Sequence, residues 1–321
     1  MLRDHRAVLV AFGVEAAVFV VITQRLAFSP YSLRMDPAIT REALTYVLPL
    51  MANVVALAVM SQADRMLGHY LGLEALATYA IVLNVAMVPL SSLNRIASNV
   101  VLPALVRDRE VPGGLEAGYA LTSWSFALIG FVCACGISLV LDVAVLLLFG
   151  NAYTVADSVR LLVSLIVFTR VLRWSPTELL STVGRTKELA FANMITGSGL
   201  VIGAGILIIH KDMSSILAGL LIGEIASIAV FYYTTLVVMP SAYRSINRSL
   251  IFAAFGAAII VSGLLLFPEP GWTNRLTLAV LFGSPATLLT WGFFIRRKHR
   301  EAVIARGRDH MVELGRAKTA Q

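Results

Sequence analysis

The chain has 321 residues, of which 58% are hydrophobic and only 14% are Asp, Glu, Lys or Arg, and its mean hydropathy is +0.81. Soluble domains carry about a quarter charged residues, so this composition excludes an ordinary soluble domain and indicates an integral membrane protein. The net charge of +7 sits in loops and one tail, which points to basic cytoplasmic loops and away from nucleic acid. In chain order the first stretch, residues 7–23, is apolar but lacks a small-x-small cleavage site and is interrupted by Glu15, so it reads as a retained span rather than a signal peptide.

Residues 25–44 are polar. Pro37 followed by an apolar–polar pattern predicts an amphipathic helix there. Further spans are expected at 45–67, 74–99, 118–140, 156–182, 188–209, 214–238, 249–267 and 275–295, each near the roughly 20 residues a crossing helix needs. The predicted fold class is thus an all-α membrane protein, a polytopic bundle of about nine transmembrane helices. Residues 143–149 are too short for a span of their own and are expected to lie at the interface. Cys133 and Cys135 share one apolar span on different helical faces and read as small core residues. No zinc spacing exists, and neither metal nor cofactor is expected.

Basic residues set the orientation. With the tail (Arg296, Arg297, Lys298, Arg300, Arg306, Arg308) in the cytoplasm, alternation also places Arg25, Arg34, Arg41, Arg107, Arg109, Arg185, Lys187, Arg244 and Arg248 there. The other side receives Arg3, Arg6, Lys211 and Arg275, and its loop 141–155 has no Lys or Arg.

Polar groups inside apolar helices need a reason, because an unsatisfied one in hydrocarbon is costly. In the third span Asn84, Ser91, Arg95 and Asn99 recur at spacings that return to one helical face, with Pro89 bending the register. In the fifth, Arg170, Arg173, Thr177 and Ser181 repeat the pattern, and Glu224, Ser227 and Thr235 do so on the seventh. Such lines face a bundle interior or a wet cavity. The plainer alternatives pair the arginines with Glu178 or Glu224 as structural bridges, or let them snorkel to the interface. Glu15 and Glu224 are the candidates for ion coupling. Gly199-x-x-x-Gly203 and Gly219-x-x-x-Gly223 allow close helix approach and read as structural. The histidines lie at span ends or in loops and no phosphate-binding Gly-Lys loop is present, so ATP hydrolysis and enzyme chemistry are not expected.

Asp64-Arg65, a short Gly-containing turn, Gly-Leu-Glu-Ala-Leu-Ala-Thr-Tyr ending at Tyr79, the mid-helix Pro89 and the exit Pro103-Ala-Leu form one block. Leu146–Gly150, Asn151–Tyr153 and Gly184–Lys187 form a second. Their order over roughly residues 35 to 240 resembles the second half of polysaccharide flippases of the O-antigen and teichoic-acid type, within the multidrug/oligosaccharidyl-lipid/polysaccharide exporter superfamily. The resemblance implies the C-terminal half of a two-lobe exporter, with Asp64, Arg65, Pro89 and Pro103 as structural motif positions. It implies a leftover first-lobe helix at 1–24, a cytoplasmic linker at 25–44, a six-helix lobe at 45–240, a peripheral helix pair at 241–295 and a basic cytoplasmic tail at 296–321. The missing first lobe is expected either because the chain is an inactive fragment or because a separate first-lobe chain or a homodimer partner supplies it.

The implied function is export of surface polysaccharide precursors: flipping of a polyprenyl-diphosphate-linked glycan across the plasma (inner) membrane, with membrane lipids as further partners. The cavity residues would be Arg95, Arg170, Asn84, Ser91, Asn99, Arg173 and Thr177, with Arg95 and Arg170 meeting the diphosphate, since a guanidinium stays charged and grips phosphate oxygens through a planar fork. The alternatives are a cation-coupled multidrug exporter of the same superfamily and a membrane-embedded glycosyltransferase or polymerase. The short loops argue against the second.

Overall fold

The computed structural model describes residues 72–266 and 295–305 together with isolated positions between 13 and 51. The chain divides into two compact units, Met1–Val47 and Leu48–Gln321. In the first, the described positions are helical. The second contains α1 (Leu73–Arg109), α2 (Gly114–Phe149), α3 (Asp157–Thr182), α4 (Thr186–His210), α5 (Met213–Val238), a short 3-10 turn at Pro240–Ala242, α6 (Tyr243–Leu266) and α7 (295–305). No strand occurs among the described residues.

The all-helical expectation holds among the described residues, and the expected count of about nine spans extends into residues outside them. Among the described residues four helices are long and apolar enough to cross a membrane: α1, α2, α4 and α5. The expected spans 7–23, 45–67 and 275–295, the linker 25–44, and with them Glu15, Asp64 and Arg65, lie outside the described residues or touch them only at isolated positions. Two boundaries move outward. α1 runs on through Pro103 and the charged run to Arg109, with Arg107 and Arg109 in its last turn, where cations complement the helix dipole. α2 takes in residues 143–149, so the segment expected at the interface continues the helix. The loop expected at 141–155 shrinks to 150–156.

α3, which is not among these four, organises the bundle. It carries Asp157, Arg160, Arg170, Arg173 and Glu178, too many charges for a helix facing lipid, and it packs against α1, α2, α4, α5 and α6. Its neighbours cover Arg160, Arg173 and Glu178, while Arg170 and Asp157 stay partly open. Its apolar positions, including Val163, Ile166, Val167 and Val171, join Tyr79, Val82 and Phe126 in the main core. Phe126 meets Trp174 edge to face with centroids 5.6 Å apart. α6 lies on α2 and α3, where Gly256 leaves room for the rings of Phe131 and Phe168.

α4 and α5 make the closest helix pair, through the four glycines. A Cβ at Gly219 would stand 2.2 Å from the Gly203 backbone, and one at Gly223 would stand 2.7 Å from the Gly199 Cα. These helices touch backbone to backbone, the use of small residues expected of GxxxG spacing. Asp212 caps α5 by accepting the Ser215 N–H at 3.1 Å, satisfying a donor that the helix start leaves open.

Candidate functional site

Three charged side chains meet in the middle of the bundle. On α3, Arg170 and Arg173 are three residues apart and therefore neighbours on one helical flank. Across from them on α5 is Glu224, whose side chain is 1% exposed. Arg170 donates through Nε to Glu224 Oε1 at 2.9 Å, with Nη2 2.8 Å from the same oxygen. Arg173 Nη1 stands 3.1 Å from Oε2. That second contact is an ion pair without hydrogen-bond alignment, because Oε2 accepts no hydrogen bond among the described residues.

The two arginines differ in setting. Arg173 is enclosed, its side chain 12% exposed. It donates to the Thr196 hydroxyl of α4 and lies 5.9 Å from the centre of the Phe231 ring, a cation–π distance. Arg170 is 33% exposed, and its Nη1 lies 3.2 Å from the Met87 sulfur of α1. Two guanidiniums share one carboxylate, so the cluster keeps one positive charge, and the more open arginine carries it outward.

The polar line of α1 lies elsewhere. Asn84, Ser91, Arg95 and Asn99 are all exposed, while Tyr79, Val82, Ala86 and Leu90 are buried on the other side of the helix. Between the two faces run Met87, which touches Arg170, and Ser98, which donates to Glu178 of α3. The α1 line therefore lies alongside Arg170 and the line it shares with Arg173, Thr177 and Ser181 on α3, all of intermediate exposure. Thr177 and Ser181 spend their hydroxyls on their own helix backbone, as such residues do in membrane helices. Pro89 and Pro103 both lie within α1.

The contacts settle which carboxylate holds the arginines. Glu224 takes both, and Glu178, the other partner weighed from the sequence, is 6% exposed and bonded to Ser98. Arg95 joins no ion pair among the described residues. A group of three or more residues able to hold a metal ion is also absent among them.

A family model described as polysaccharide biosynthesis protein matches residues 7–158. The chain is similar to the polysaccharide biosynthesis protein family. The match bears out the expected resemblance over a stretch just under half the chain, containing α1, α2 and the first block, from Asp64 to Leu105. No curated protein and no solved structure matches the chain. With four helices among the described residues long and apolar enough to cross a membrane, the similarity to the polysaccharide biosynthesis protein family supports a membrane protein with a polysaccharide-related role. Asn84, Ser91, Arg95 and Asn99 lie inside the matched stretch; Arg170, Arg173, Thr177 and Glu224 lie beyond it.

Sequence reasoning missed Met87, Thr196 and the pairing of Ser98 with Glu178. It also treated Asp108 as part of a loop. Asp108 is 2% exposed and forms a two-pronged pair with Arg300 of α7. The signal available was a lone acid inside the basic run Arg107-Asp108-Arg109.

Proposed function

We propose that this chain is the second-lobe part of a flippase that moves polyprenyl-diphosphate-linked glycans across the plasma membrane. The observation that carries the reading is the exposed polar line of α1 running beside Arg170. A membrane helix exposing Asn, Ser, Arg and Asn in a row cannot leave them in lipid. A water-filled cavity between this lobe and a second one accommodates them. The uncompensated charge of the Arg170–Arg173–Glu224 cluster suits an anionic diphosphate, and the amides and hydroxyls of the α1 line suit sugars. Glu224, held by two guanidiniums, suits the anchoring of an anion site better than the coupling of a cation.

In a strain whose protein is deleted, lipid-linked oligosaccharide should accumulate on the cytoplasmic face while surface polysaccharide falls. Normal surface polysaccharide in that strain would remove the proposal.

The orientation follows from the basic residues, and the contacts are consistent with it. Arg300 reaches Asp108 and Arg109 donates to the Thr182 carbonyl at 3.2 Å, so the basic ends of α1, α4 and α7 share one end of the bundle. This end belongs in the cytoplasm. A cysteine introduced at Asn151 should react with an impermeant thiol reagent in intact cells, and one at Ala317 should not. Reversed labelling would invert the orientation.

A further inference from the structure

Asp108 sits in a prepared niche. A Cβ at Gly118 would be 2.4 Å from Asp108 Oδ2, and one at Gly114 would be 2.4 Å from the Asp108 carbonyl oxygen. Only glycine at these positions lets α2 close over the carboxylate. The turn between α1 and α2 is tightened by Gly113 at φ +70, a left-handed conformation that glycine adopts without strain. Into this niche Arg300 sends Nε to Oδ2 at 2.7 Å and Nη2 to Oδ1 at 2.9 Å, the fork-on-fork geometry of the stronger ion pairs.

α7 is built to deliver that arginine. Arg296, Arg300, Val303 and Ile304 are its half-buried positions, and the rest of the helix is exposed. Spacings of four, seven and eight residues put those four on one face. Val303 Cγ1 lies 3.7 Å from where a Cβ would stand at Gly113. Arg297 and Glu301 pair with each other on the outside at 3.0 Å, and Arg300 is a charged contact with the corner.

α1 has a place to bend just before this contact. Pro103 lacks an N–H, so the Asn99 carbonyl loses its helical partner, and such points are where helices flex. A cleft of about 400 Å³ lies at the corner beyond, lined by Arg109, Val111, Gly113, Glu116 and Met239 among others.

We propose that α7 is a latch. It holds the end of α1 against α2, and the part of α1 beyond Pro103 is the hinged arm it secures, with the Arg300–Asp108 pair as the catch. α7 thereby sets the freedom of the end of α1 beyond Pro103. This inference does not depend on the substrate.

Hydrogen exchange read by mass spectrometry on the purified full chain in lipid nanodiscs tests it. Arg300→Ala alone strands a buried carboxylate and risks unfolding, so the informative variant is the charge-free pair Asp108→Asn/Arg300→Ala. Exchange over residues 103–113 and 295–305 should quicken by roughly tenfold or more, as the loss of two charge-assisted hydrogen bonds implies, while α4 and α5 stay protected. Arg300→Lys, which keeps the charge and loses the fork, should fall between. Wild-type exchange in both segments of the double variant would overturn the latch. Loss of protection spreading through α4 and α5 would overturn it too, because the pair would then serve stability at large.

Discussion

Glu224→Ala is expected to deplete the folded protein severely. The substitution removes the carboxylate shared by Arg170 and Arg173 and leaves two like charges three residues apart in the bundle. Breaking a buried pair by removing one partner costs about 3–5 kcal/mol, against total stabilities of about 5–15 kcal/mol. The loss should show as low abundance in membranes and a lowered thermal midpoint after solubilisation. The arginine substitutions should be milder, because each leaves Glu224 one counter-charge. Arg173→Ala should cost more than Arg170→Ala, since Arg173 also gives up Thr196 and the Phe231 ring. Removing Glu224 and Arg173 together should restore much of the abundance, leaving the part-exposed Arg170 to reach water. A Glu224→Ala protein as abundant and heat-resistant as the wild type would show that the cluster is not what holds α3 to α5.

The functional ranking should run the other way. Under the flippase proposal, Arg170→Ala, the mildest change for stability, should abolish export, and Arg95→Ala should impair it. Arg170 is the cluster's open member and lies beside the α1 line that contains Arg95. Lysine at position 170 should rescue only in part, because it keeps the charge and loses the planar fork. The assay belongs in cells supplying both lobes, with export of the lipid-linked glycan measured against protein abundance. Wild-type export by a stably expressed Arg95→Ala/Arg170→Ala double mutant would sink the assignment of both residues.

Much of the helical layout was legible from hydropathy, because span length and apolar composition are local properties. The ends of α1 and α2 were not. Pro103 reads as an exit, yet α1 continues to Arg109, and Asp108 near its end is neutralised by a residue 192 positions away, a contact that no window along the chain can register. Residues 143–149 read as a separate surface segment because the preceding apolar run was already long enough to cross. For the candidate site, periodicity found both polar lines but could not say which way either faced. One is exposed on α1; the other meets a carboxylate from α5. The choice between Glu178 and Glu224 depends on how α3 is rotated against its neighbours, and that rotation is set by packing: Glu178 turns to Ser98, and the arginines turn to α5.

The glycine seam between α4 and α5 has a mechanical consequence. Where backbones touch with no side chains between them, there are no rotamers to rearrange and no slack to take up. Sliding by even one residue would drive a side chain into the opposite main chain. The pair therefore behaves as a stiff strut through any working cycle, and motion must be found at other joints. Spectroscopic labels placed along its outer surface supply a fixed internal ruler against which movement of the remaining helices can be measured.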